Sequence, residues 1–118
     1  MNESLSELQQ MVVSAATDKK ASDIIILDLR NRTDLTDYFM ICSGQSKVQV
    51  QAIADGIQER SYNSPYKVYT VEGYSTGQWI ILDMGDMMVH VFHHETRSHY
   101  DLERLWGDVP VIAEMSGS

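Results

Sequence analysis

The chain has 118 residues, 43% of them hydrophobic and 22% charged, which suits one globular domain and leaves no length for a second. Nine basic residues against 17 acidic ones give a formal charge of −8, which lacks the basic footprint of a nucleic-acid binder and steers instead towards basic partners, basic proteins included. The polar start MNESLSELQQ has no signal-peptide pattern, no apolar run reaches the ~20 residues of a bilayer span, and one cysteine excludes a disulfide framework, so a cytoplasmic protein without membrane contact is expected.

SLSELQQMVVSAATDKK (4–20) predicts a helix opened by a Ser4/Glu7 capping box, with Leu5, Leu8, Met11, Val12, Ala15 and Ala16 in one apolar stripe. DIIILDLR (23–30) carries four consecutive aliphatics, Ile24 to Leu27, as a central strand covered on both faces does. Turn chemistry over 31–37 leads to a second strand, YFMICSG (38–44), where Cys42 reads as a small buried hydrophobe. Ser46 and Gln49 form a second capping box, and the helix after it buries Val50, Ile53, Ala54 and Ile57 before fading towards Pro65. YKVYTVEG (66–73) alternates as a third strand, and 79–92 supplies two more. HHETRSHYDLERLW (93–106) predicts a last helix with Leu102, Leu105 and Trp106 facing inward, ended by Gly107 and Pro110. AEMSGS (113–118) reads as a loose tail. The order α-β-β-α-β-β-β-α gives a single α/β domain with a mixed sheet of about five strands and three helices. Three helices cannot cover both faces of such a sheet, so part of one face is expected to stay open.

The stretch WIILDMGDMMVHVF (79–92) holds the densest chemistry. With Gly85-Asp86 as a two-residue turn, Trp79 faces Phe92, Ile81 faces His90, Leu82 faces Val89, Asp83 faces Met88 and Met84 faces Met87. One side of the hairpin is then wholly apolar: Ile80, Leu82, Met84, Met87, Val89 and Val91. The other holds Trp79, Ile81, Asp83, Met88, His90 and Phe92, a mixture typical of a recognition surface. Asp83 and Asp86 also invite a metal or acid/base reading. Strand carboxylates that share an ion usually sit two apart, whereas these are three apart across a turn. HETRSH (94–99) is one residue too long for the H-E-x-x-H zinc motif, and on a helix His94 and His99 diverge by roughly 140°. His90, His93 and His94 make no clear ligand set. CSGQS is a strand end and an N-cap rather than a nucleophile elbow, although Gly44-Gln45-Ser46 before a helix leaves a weak anion option.

Taken together and in this order, ASDIIILDLR, TDYFMICSGQS, VEG, WIILDMGDMMVHVF and RSHYDLERLW resemble the ribosomal silencing factor family, the Iojap-like proteins, over residues 4–107. The series W-x-x-x-D-x-G-D followed by R-x-x-Y-x-L-E-x-L-W carries most of the specificity, and the C-terminal tail, 108–118, carries none. The resemblance implies a translation repressor and not an enzyme. Such a protein binds the large ribosomal subunit through ribosomal protein fourteen and sterically blocks joining with the small subunit, damping translation under nutrient limitation. It implies no cofactor and no metal, a homodimer as is frequent in the family, and contact with ribosomal RNA at most at the rim. It also implies a nucleotidyltransferase-like scaffold without that chemistry, because GQS here is followed by VYTVEG and not by a D-x-D strand. The implied partner-binding residues are Trp79 as anchor, Asp83 and Asp86 towards basic or amide donors, Met84 at the hairpin end, Gly85 for close backbone approach, and Arg97 and Tyr100 at the border. Each has a structural alternative: a core Trp79 under a helix, a hairpin-capping Asp83, a helix-packing Tyr100. The rival function is a metal-dependent nucleotidyl transfer enzyme using Asp83, Asp86 and Asp28.

Overall fold

A computed structural model describes residues 5–115. Along them run α1 (Glu7–Asp18), β1 (Ser22–Asp28), β2 (Tyr38–Gly44), α2 (Lys47–Tyr62), β3 (Thr70–Glu72), β4 (Trp79–Asp83), β5 (Met87–His93), α3 (His94–Tyr100), α4 (Leu102–Leu105) and β6 (Val111–Met115). The strands form one mixed sheet in the order β3-β4-β5-β2-β1-β6, in which β2 and β5 are parallel and the other neighbours antiparallel. The α/β single-domain expectation holds, with one strand more than expected.

The helix starts follow local chemistry. The Ser6 hydroxyl accepts the Gln9 N–H while the Gln9 side chain accepts the Ser6 N–H, so the box closes at Ser6 and Gln9 instead of at Ser4 and Glu7. Ser4 lies outside the described residues. At α2 only half the expected box forms: Ser46 caps Gln49, but the Gln49 carboxamide oxygen accepts from Gln45, one residue early. The amide nitrogen of Gln49 is used as well, donating to the carbonyls of Lys19 and Lys20 and tying the end of α1 to the start of α2.

Helices α1 and α2 cover one face of the sheet. The larger core lies there, with Val12, Ala16, Ile26, Met40, Val50, Ile53, Ile57, Ile80, Leu82, Val89 and Val91 closed to solvent. A smaller core on the other face gathers Ile25, Leu27, Leu29, Phe39, Ile41, Phe92, Leu102 and Val109. Both faces of β1 are therefore buried, as its four aliphatics require.

Three further expectations change. The third strand shrinks from 66–73 to Thr70–Glu72, partly because the Tyr66 amide is taken by Ser64 Oγ instead of a ladder partner. The last helix breaks at Asp101, whose left-handed φ of 49° separates α3 from α4. That break resets the helical phase, so Leu102 is buried while Leu105 turns out to 74% exposure, against the inward position expected of it. Finally, Ala113, Glu114 and Met115 are not a loose tail. They belong to β6, which pairs with β1 and buries Ile112 and Ala113; 116–118 lie outside the described residues.

Candidate functional site

The hairpin has the expected register: Trp79 pairs with Phe92, Ile81 with His90, Leu82 with Val89 and Asp83 with Met88. Its apolar side, Ile80 to Val91, is buried against α1 and α2. On the other side, α3, α4 and the segment after them cover β1, β2 and part of β5, and reach the outer strand β4 only at Trp79, through Tyr100. Trp79, Ile81, Asp83 and Met88 are left half-buried there, and this is the open part of the sheet.

An aromatic cluster edges that patch. The Trp79 indole stacks on Phe92 at 4.8 Å and meets Tyr100 of α3 at 5.1 Å between ring centroids. Its Nε1–H donates to His90 Nδ1 at 3.0 Å. Phe39 presses on the His90 ring at 4.4 Å and meets Trp106 at 5.9 Å. Trp79 thus stands between the two readings of it: Phe92, His90 and Tyr100 all engage the indole, yet the residue is half-buried and not enclosed. Tyr100 is 56% exposed, and beside it a groove of about 370 Å³ is lined by Gln78, Trp79, Glu95, Thr96, His99 and Tyr100 among others.

The acidic knot is a turn first. Asp83 Oδ1 accepts the Gly85 N–H at 2.9 Å, and the Asp86 N–H reaches back to the Met84 carbonyl at 3.1 Å. Gly85 has φ 81°, where a side chain is strained, and an added Cβ would come within 3.3 Å of Tyr69. The tip is tied from outside as well: Thr36 Oγ1 donates to the Gly85 carbonyl, and the N–H groups of Asp37 and Tyr38 both donate to the Asp86 carbonyl. Asp83 is half-buried and Asp86 exposed. Met84 is only 5% exposed and belongs to the larger core, so its side chain supports the tip from beneath and offers a partner nothing directly.

Arg97 is occupied within the fold. Its guanidinium forks onto Glu103 at 2.8 and 3.2 Å and donates to the Asp23 carbonyl and Ser43 Oγ. It clamps α3 and α4 to the starts and ends of β1 and β2, and its side chain is 12% exposed. Sequence reasoning assigned no role to Glu103 or Ser43. The R-x-x-Y-x-L-E spacing was the available signal, since it carries the arginine's partner across the break in the helix.

The carboxylates of the rival enzyme do not converge. Residues on β1 alternate, so Asp28 lies on the opposite face from Ile25 and Leu27, and across the sheet from Asp83. Three strand spacings, about 14 Å, also separate β1 from β4. Asp28 is instead bound by Arg30 at 2.7 and 3.0 Å, which holds its carboxyl below the usual range. Among the described residues, the group of possible metal ligands that comes together is His93, His94 and Glu95, with donor atoms within 4.8 Å. His93 already uses Nδ1 to accept the Glu95 N–H and cap α3. Cys42 is fully buried, which pushes its thiol up to about 12 and leaves it inert as a nucleophile.

Comparison with known proteins gives a consistent picture. Residues 2–117 match the profile of the family described as ribosomal silencing factor during starvation. The chain is 40% identical over 111 residues to the ribosomal silencing factor of Halalkalibacterium halodurans, covering 94% of each. It is 32% identical over 101 residues to the mouse mitochondrial assembly of ribosomal large subunit protein 1, covering 81% of this chain and 43% of that protein. A crystal structure of a Chromobacterium violaceum protein superposes with a TM-score of 0.84 at 33% identity, covering 89% of this chain and 88% of that one.

Proposed function

Because the chain belongs to the ribosomal silencing factor family, we propose that it represses translation by binding the large ribosomal subunit through ribosomal protein fourteen and sterically blocking its union with the small subunit. The observation that carries this reading is the uncovered half of the second sheet face: Trp79, Ile81, Asp83 and Met88, half-buried and contiguous, rimmed by Asp86 and Tyr100. A carboxylate inside an apolar and aromatic patch suits a basic protein partner, and the charge of −8 favours encounter with one. Trp79 is the energetic centre of that surface, with Asp83, Asp86 and Gly85 at its end and Tyr100 at its side. Met84 and Arg97 act from within, holding the hairpin tip and α3 in place. The same patch would serve a homodimer, so the dimer and the ribosome-bound form compete for it. Ribosomal RNA is touched at most at the rim, and the protein works in the cytoplasm without a cofactor.

The test is sedimentation of purified subunits under joining conditions. Wild-type protein should co-migrate with the large subunit and shrink the joined peak. Trp79→Ala, with its fold verified by circular dichroism, should lose ~2 kcal/mol or more of binding and leave joining intact. Wild-type protein that ignores both subunits at micromolar concentration would remove the proposal.

A further inference from the structure

We infer that His90 is a positioning residue, holding the Trp79 indole in its docking orientation by accepting the indole N–H at Nδ1. The inference rests on the reading of Trp79 as the docking anchor and adds how that anchor is set. Indole can only donate, so the 3.0 Å contact makes Nδ1 the acceptor and places the imidazole proton on Nε2. The ring cannot swing away. It is 4% exposed and lies on a strand between Ile41 of β2 and Ile81 of β4, with Phe39 against it at 4.4 Å.

The arrangement is unfavourable for a core position. His90 Nε2 is buried and finds no hydrogen-bond partner among the described residues. Apolar residues hold the adjoining positions of that row, Ile25, Ile41 and Ile81, and a leucine or phenylalanine at 90 would bring no polar atom of its own to leave unpaired. What histidine alone among these supplies is the acceptor for Trp79. The rest of the indole's surroundings, Phe92 and Tyr100, are rings that fix its plane but leave its long axis free to flip. Burial also depresses protonation of the imidazole, which keeps Nδ1 an acceptor at neutral pH.

The test combines one measurement on the wild-type chain with three variants. In wild type at pH 7, imidazole ¹⁵N shifts should show Nε2 protonated and Nδ1 bare, with a coupling from the Trp79 indole nitrogen to Nδ1 across the hydrogen bond. Trp79→Ala assigns the indole signal. His90→Leu should move that signal towards a free indole and weaken binding to salt-washed large subunits by roughly tenfold. His90→Asn, whose Oδ1 stands near Nδ1, should restore both. A proton on Nδ1 in wild type overturns the inference even if no His90 variant folds. So does normal binding by folded His90→Leu when Trp79→Ala fails to bind, or a His90→Asn variant as weak as His90→Leu. If Trp79→Ala itself binds as wild type, the docking reading falls and takes the inference with it, an outcome told apart by the Trp79 variant alone.

Discussion

At the scale of single residues, the feature with the clearest chemical signature is a neutral histidine enclosed by rings. Burial among Phe39, Trp79 and Phe92 lowers the His90 pKa from 6.5 to about 4. The unfolded chain therefore takes up a proton near pH 6.5 that the folded chain refuses until about pH 4, so His90 costs stability as pH falls through that window and nothing above it. Between pH 7.5 and pH 5 the loss should be about 2 kcal/mol. Urea titrations at the two values should show it in wild type and find it missing from His90→Asn, the difference between the two proteins isolating this one side chain. A wild-type curve parallel to that of the variant would contradict the assignment. The alternation of 79–92 placed this histidine opposite Ile81 on the mixed face, which was correct. That it accepts from Trp79 was not legible, because Trp79 and His90 are a diagonal pair and the contact depends on indole rotation.

At the scale of elements, legibility tracked how local each determinant is. The β4–β5 register was readable because its turn and its alternation both lie within fourteen consecutive residues, and Gly85 marks where the chain reverses. Strand β6 was missed because VIAEM is short and follows a proline, and only its neighbour β1 shows that the place beside it is vacant without it. Its role is testable. Ile112→Ala removes buried methyl groups where β6 closes the larger core, and should destabilise by about 2–4 kcal/mol. Val111→Thr, at a 48% exposed site on the same strand, should change stability by less than about 0.5 kcal/mol. Equal, small effects in denaturant melts would mean that the strand is not part of the cooperative unit. The break at Asp101 escaped sequence reading for a different reason: the residue has an ordinary helical neighbourhood, and the Arg97–Glu103 fork, six residues apart, would not face one another on an unbroken helix.

For the whole molecule, charge and shape make separate contributions that experiment can divide. In the proposed docking, the formal charge of −8 would act at long range and accelerate encounter with a basic partner, while the Trp79 patch would act only on contact. Raising ionic strength from 0.05 to 0.5 M should slow association with large subunits by about tenfold or more and leave dissociation little changed. Trp79→Ala should do the reverse, speeding dissociation at every salt concentration. Surface-immobilised subunits and stopped-flow mixing read both constants directly. A salt-independent association rate would show that the net charge plays no part in encounter. The net charge was legible in the composition alone, whereas the patch required the sheet to be seen with its helices in place.

The parallel seam between β2 and β5 has a kinetic consequence. Apart from β6, which returns from residues 111–115 to pair with β1, each half of the sheet is local in sequence: β1 turns into β2 within ten residues, and β3, β4 and β5 follow one another directly. Joining the halves requires residues 45–86 to be gathered into one closed loop before a single β2–β5 hydrogen bond forms, and the entropy of that closure falls on the seam. The barrier to folding should therefore be crossed there. Truncating Met40 or Val89, buried side chains on its two strands, would slow refolding, while changes in peripheral β6 would chiefly hasten unfolding. The patch around Trp79 lies on the outer half of the sheet, two strands formed by a hairpin that needs no seam. Its strand register should therefore be set early in folding, and its rigidity late.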